Sequence, residues 1–204
     1  MVLHSALTGA NLHEPKGVST ATAGQVYIAN GAGSGAWTSP SLTAVAPEIT
    51  ATAAEITRND DVSTRAVAAG GTLTLTEATH EGKTILLNTL TGSVVTLPAA
   101  SQVGMRFKFL VSVLATSNSH IVKVANASDI LQGSISIADQ DTAGTITGWV
   151  TSATDDTVTL NRTTTGSVTR GEWIEVECVA TNVWSVRGQL TNTGSAATPF
   201  SATV

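Results

Sequence analysis

With 204 residues, the chain has length for one β domain with an extension, or for two small domains. Charged residues are 12% of it, about half of the ~25% usual in soluble domains, so the polar surface must be built from Thr, Ser, Asn and Gly. The net charge of −5, with Lys and Arg scattered, supplies no basic stripe and excludes nucleic acid as an expected partner.

Residues 1–46 are rich in Gly, Ala, Ser and Thr, with sparse apolar anchors at Leu3, Leu7, Leu12, Val26, Tyr27, Ile28 and Trp37. The start MVLHSALTGANLHEP lacks a basic segment followed by an apolar stretch, so no export signal is expected. GAGSGAWTSP is expected to break any regular element through its glycines and Pro40. This stretch cannot bury a core of its own, and fully extended it would span about 150 Å at ~3.3 Å per residue. Tyr27 and Trp37 are large anchors for a linker to leave in water. The segment therefore reads as an extended arm ordered by binding.

Residues 47–66 predict a short linker helix. Thr52-Ala-Ala-Glu55 has capping-box spacing, Pro47 sits upstream and Asn59-Asp60-Asp61 supplies a stop. Ile49 and Ile56, seven apart, fall on one face, where they are candidate oligomer contacts. Such a short helix is marginal alone and must dock on its own β domain or on symmetry mates.

From residue 67 to 204 the period becomes two. Leu73 and Leu75 alternate with threonines, then come Lys83–Leu87 and Ser93–Leu97. The clearest strand is 105–114, with Met105, Phe107, Phe109, Val111 and Val113 facing one way and Arg106, Lys108 and Ser112 the other. A slip of one residue there would put Arg106 and Lys108 into the core, which fixes the register. Further runs are 120–125, 130–137 with a break or bulge at Gly133, 145–151 around Trp149, and 157–161. In Trp173–Ala180, Ile174, Val176 and Cys178 oppose Glu175 and Glu177. Asn182-Val183 turns the chain into Trp184–Leu190, and an edge strand ends it, because Pro199 lacks the N–H. About ten short strands with frequent turn signals predict an all-β domain, an antiparallel β-sandwich or barrel. The one cysteine, Cys178, cannot found an intrachain disulfide framework and is expected as a buried, inert thiol.

Leu7–Gly17, Ala23–Gly31, Gly35–Trp37, Ile49–Ile56, Gly82–Asn88, Val95–Ala100, Thr116–His120 and Asp155–Arg162, taken together, resemble the capsid decoration and head-fibre proteins of tailed bacteriophages. The opening Leu7-Thr-Gly-Ala-Asn-Leu-His-Glu-Pro-Lys-Gly17, then Ala23-Gly-Gln-Val-Tyr-Ile-Ala-Asn-Gly31 and Gly35-Ala-Trp37, is similar to their N-terminal segment. Ile49–Ile56 looks like the short linker helix of phage fibre chains. Gly82–Asn88, Val95–Ala100, Thr116–His120 and Asp155–Arg162 resemble a β module of phage structural proteins. The resemblance implies a homo-oligomer, often a trimer, with its N-terminal part on the shell and a β domain projecting outward. The partner is then the major capsid protein. Leu7, Leu12, Lys16, Tyr27 and Trp37 are the capsid-binding candidates, and Trp149 joins Ile49 and Ile56 as an oligomer contact. Such a protein is made in the host cytoplasm and ends on the outer capsid surface of the virion. The alternative is a tail-fibre or receptor-binding module recognising host-surface glycan, although no coiled-coil or repeat shaft separates arm and head.

Enzymatic constellations are weak, and no enzyme is expected. His4, His13, His80 and His120 lack metal-ligand spacing; His80 and His120 read as polar turn residues. Asp139-Gln-Asp141 with Gly144 opens like a calcium loop, but Val150 stands where its closing acidic residue belongs. Glu175 and Glu177 on one strand read as a solvated sheet face, against a glycosidase pair. Gly31, Gly33 and Gly35 lack the Lys-Ser/Thr of a phosphate loop. The glycosylation sequons at Asn126 and Asn161 carry no meaning in a bacterial cytosol. Asp155-Asp156 reads as a turn whose side chains bond nearby backbone donors. Trp149, Trp173 and Trp184 form a sugar platform if exposed, and core or interface if not. No metal or other cofactor is expected, and no apolar run approaches the ~20 residues of a membrane helix.

Overall fold

The computed structural model describes residues 21–29, 35–39 and 65–204. Contacts divide the chain into two units, Met1–Asp61 and Val62–Val204. The helix expected over 47–66 lies outside the described residues, apart from Arg65 and Ala66.

In the first unit, β1 (Val26–Ala29) and β2 (Gly35–Thr38) pair as an antiparallel hairpin. This corrects the expectation that the glycine-rich stretch holds no regular element. A Cβ on Gly35 would overlap the Ile28 carbonyl oxygen and come within 2.7 Å of the Tyr27 ring. Glycine here lets β2 close beneath an aromatic side chain instead of breaking the strand.

The second unit is all-β, as expected, with two sheets around one core. Its strands are β3 (Ala66–Ala68), β4 (Thr72–Thr74), β5 (Thr84–Leu87), β6 (Val94–Thr96), β7 (Arg106–Val111) and β8 (His120–Lys123). They continue as β9 (Ile130–Asp139), β10 (Ile146–Val150), β11 (Thr157–Leu160), β12 (Trp173–Ala180), β13 (Val183–Asn192) and β14 (Phe200–Ser201). One four-residue helix, α1 (Glu77–His80), interrupts them. The larger sheet runs β10-β9-β13-β12-β7-β5-β3 and the smaller β14-β11-β8-β6-β4. Both are open at two edges, so the domain is a sandwich and not a barrel.

The pairing is mixed, where a wholly antiparallel one was expected. From β3 to β8 the chain alternates between the sheets, laying β3, β5 and β7 parallel in one and β4, β6 and β8 parallel in the other. Inward residues stack in register along these coils: Val67, Ile85 and Phe109 on one side, Leu73, Val95 and Val122 on the other. Antiparallel pairs complete the larger sheet through β12 with β7 and β13 and through β9 with β10, while β9 and β13 run parallel for ten residues. A strand buried on one face alternates whichever way its neighbour runs, so period two leaves direction open. Direction is decided by the connections, which here change sheets instead of folding back as hairpins.

The strand expected over 105–114 is realised as β7 over the shorter Arg106–Val111, with Phe107, Phe109 and Val111 buried and Arg106 and Lys108 outward; Met105 is buried just before it, and Val113 lies beyond its end, half-buried. Trp184 is fully buried, its ring 5.9 Å from that of Phe107. Cys178 is buried and free, and burial pushes its thiol pKa up.

His120 and His80 are not the polar turn residues expected. His80 ends α1 buried, its Nδ1 accepting the Thr76 N–H at 3.0 Å. His120 points into the core from β8; its Nδ1 accepts the Ser93 N–H at 2.9 Å and its Nε2 donates to the Val113 carbonyl at 2.9 Å. Both bonds together require a neutral ring protonated on Nε2. Burial lowers its pKa from 6.5, against the Val113 bond. The unfolded chain therefore takes up the proton first, and the stability His120 contributes is lost as pH falls below about 6.5. Wild-type unfolding free energy should drop there by up to about 1.4 kcal/mol per pH unit relative to His120→Gln. Urea titrations of both proteins between pH 7.5 and 5 measure it; parallel profiles would show that His120 does not titrate on unfolding.

Candidate functional site

In the N-terminal hairpin, strand alternation puts Tyr27 and Trp37 on one face and Val26, Ile28, Ala36 and Thr38 on the other. Tyr27 and Trp37 are directly opposed, ring centroids 5.5 Å apart in an edge-to-face arrangement, the geometry that the aromatic quadrupole favours. None of the hairpin's described side chains is fully buried. Two of the five capsid-binding candidates, Tyr27 and Trp37, are thus brought together. Leu7, Leu12 and Lys16 lie outside the described residues, as do Ile49 and Ile56.

Trp149, the remaining oligomer-contact candidate, sits on β10, half-buried and packed against the core. Its neighbours Ile146 and Val150 point the other way and are 64% and 75% exposed. With Gly148 between them, β10 has no charged residue or proline, and its five residues exceed the two or three of β3, β4 and β14, the other three edge strands of the sandwich. Exposed edges are usually blunted by Lys, Pro or brevity, and this one is not. Sequence reading missed Ile146 and Val150; the readable signal was an apolar run with large side chains on both of its faces.

The outer face of the larger sheet carries cross-strand rows. Glu175 lies between Lys108 and Arg187, and Glu177 beside Arg106. Arg106 Nη2 donates to Glu177 at 3.0 Å, and Arg187 Nη2 donates to Glu175 at 2.6 Å. The arginines are more than half exposed, so these pairs add little stability. Their geometric effect is to hold the two carboxylates flat on a sheet face, as a solvated row. The next row sets Leu86, Leu110 and Trp173 side by side, with the Lys108 ammonium 5.9 Å from the Trp173 ring centroid. The three tryptophans do not form one platform. Trp184 is core, Trp149 packs inward, and only Trp173 lies on this outer face.

The acidic loops are occupied by backbone donors. Asp139 Oδ1 accepts the N–H groups of Asp141 and Thr142, and Asp141 Oδ2 accepts that of Gly194. Asp155 accepts the Ser152 N–H at 2.6 Å. Asp156 reaches farther than a local turn: it accepts the N–H groups of Thr203 and Val204 and the Thr157 hydroxyl, clamping residues 203–204 to β11. Burial alone would raise the Asp156 pKa, but these bonds and Lys123 bring it below the usual value. Among the described residues, no group of three His, Cys, Asp or Glu could hold a metal ion, and no helix is long and apolar enough to cross a membrane.

Compared with known proteins, the chain matches no family model, and no curated protein is significantly similar to it.

Proposed function

We propose that the chain is a non-enzymatic structural protein of a tailed-bacteriophage virion, a homotrimeric decoration protein of the outer capsid surface. Its N-terminal arm binds the major capsid protein, and its β domain projects outward. The protein is made in the host cytoplasm and acts on the assembled particle. The Tyr27–Trp37 hairpin carries this reading. Two strands of four residues are marginal in water by themselves, and a face bearing Tyr opposite Trp supplies the side chains most often found at binding hot spots. The charge-poor composition and the unprotected β10 edge support permanent contacts with other chains. We assign subunit contact to that edge, with Ile146 and Val150 as its apolar side chains. Three arms on one particle multiply modest contacts through effective concentration.

The test uses the full chain and undecorated capsids. Tyr27→Ala/Trp37→Ala should weaken attachment about 1,000-fold per arm, since two hot-spot aromatics contribute about 2 kcal/mol each. Removal of residues 1–46 should abolish attachment, and co-sedimentation with capsids reads both. Undiminished binding by either variant takes the arm out of the mechanism. Copy number in purified virions separates this reading from a tail fibre: hundreds per particle place the protein on the head, and a few place it on the tail.

A further inference from the structure

A cleft of about 890 Å³ opens on the smaller sheet, inside the range of about 300–1,000 Å³ typical of small-molecule sites. Its floor includes Val94 and Ile121, half-buried outward residues that pair across β6 and β8. Its walls are the loops carrying Thr91 and Gly92, Ser117 to Ser119, and Arg162. These loops are tied together. Thr116 N–H donates to the Leu90 carbonyl at 2.7 Å, and Arg162 Nη1 donates to the Thr116 carbonyl at 2.8 Å. Gly92, at φ +85°, packs so closely on Ser119 that a Cβ would overlap its carbonyl oxygen. Arg162 is itself held at φ +80°, a conformation side chains disfavour. It is fixed by Asn161, whose Oδ1 accepts the N–H groups of Thr163, Thr164 and Thr165. Strain of this kind tends to persist where the surroundings enforce it, often at ligand sites.

Chemically the lining is selective. Among the described residues of the lining Arg162 is the one charged group, no carboxylate stands with it, and hydroxyls and an amide make up the other polar side chains. One of the five guanidinium N–H groups is committed to Thr116, leaving donors for an anion. Thr72, Thr91, Ser117, Asn118 and Ser119 can both donate and accept, which suits a ring of hydroxyls, and Val94 and Ile121 offer an apolar patch to its face. We infer that this cleft binds an acidic sugar, its carboxylate on Arg162 and its hydroxyls on the Thr, Ser and Asn rim. The inference is independent of the arm and would give an outward-facing domain a means of holding a glycan-coated surface.

The test is titration of the full-length protein, followed by amide NMR, with glucuronic acid, glucose and acetate as probes. Glucuronic acid should shift the amides of Thr91, Ser117, Asn118, Ser119 and Arg162, with glucose and acetate each at least tenfold weaker. Arg162→Gln should weaken glucuronic acid about 10- to 100-fold, the range for loss of a hydrogen bond to a charged group. Asn118→Asp, exposed and nearly isosteric, should do the same by repulsion with the fold unchanged. Acetate binding as tightly as glucuronic acid would reduce the cleft to an anion site. No shift at these amides, or full binding by both variants, would remove it.

Discussion

Gly133→Ala should cost the β domain more than about 3 kcal/mol, among the largest losses a single methyl group can cause. Gly133 lies mid-strand in β9 at φ +149°, directly opposite Val186 of β13. A Cβ there would overlap the Val186 carbonyl oxygen and come within 2.9 Å of its carbon. These are backbone atoms inside a ten-residue parallel ladder, so no side chain can swing aside; the strands must part or the ladder must slip. Either movement dislodges Leu131 and Ile135, which flank Gly133 and are buried. Gly148→Ala is the matched control, because a Cβ on Gly148, in the neighbouring edge strand, meets nothing within 4 Å. Urea unfolding should show Gly148→Ala within about 0.5 kcal/mol of wild type. Similar midpoints for the two variants would mean that β9 and β13 do not approach as described.

The same glycine marks what the sequence reveals. An isolated Gly inside an alternating run signals a bulge or a close backbone approach, and the residues alone do not choose between them. Here the β9–β13 register continues through Gly133, and the irregularity in this sheet falls between Cys178 and Ala180. Alternation in β7 and β12 was legible because large apolar residues face Arg, Lys and Glu. The β12–β13 connection was legible from Asn182, which takes φ +63°. Strand partners in the coils from β3 to β8 were not legible, since they lie a full coil apart in sequence and leave no local mark. His120 was misread for a related reason. Its partners, the Ser93 N–H and the Val113 carbonyl, are backbone groups that fold topology delivers. Of the candidate site, the aromatic anchors could be found from residue type; the acidic-sugar cleft, assembled from three loops of small polar residues, could not.

Glu172→Ala should lower stability by about 3–5 kcal/mol, although among the described residues Glu172 forms no salt bridge. The residue precedes β12, is buried, and directs both carboxylate oxygens at the loop before it. Oε2 accepts the Ser167 N–H at 2.7 Å, and Oε1 accepts those of Val168 at 2.7 Å and Thr169 at 2.6 Å. Ser167 takes φ +63° there, and its hydroxyl accepts the Ala115 N–H at 3.0 Å, so one carboxylate organises a loop that also fastens the middle of the β7–β8 connection. Alanine would leave three backbone donors without an acceptor, at about 1–3 kcal/mol for each that stays buried. A small opening beside Thr169 and Trp173 gives water a way to part of the site, which keeps the expected total toward the lower end of that sum. Burial pushes the Glu172 carboxyl above its usual pKa even though backbone hydrogen bonds from Thr169, Ser167, Val168 and Thr191 pull it down. Its protonated form therefore favours folding, and that contribution fades as pH rises from about 4.5 toward the folded value, opposite in sign to His120. Glu172→Gln keeps the shape but turns an NH2 toward N–H donors, so it should recover only part of the loss. Hydrogen exchange on the Ser167, Val168 and Thr169 amides supplies the local readout. If those amides stay protected in Glu172→Ala and its unfolding midpoint matches wild type, the loop is held by something other than this carboxylate.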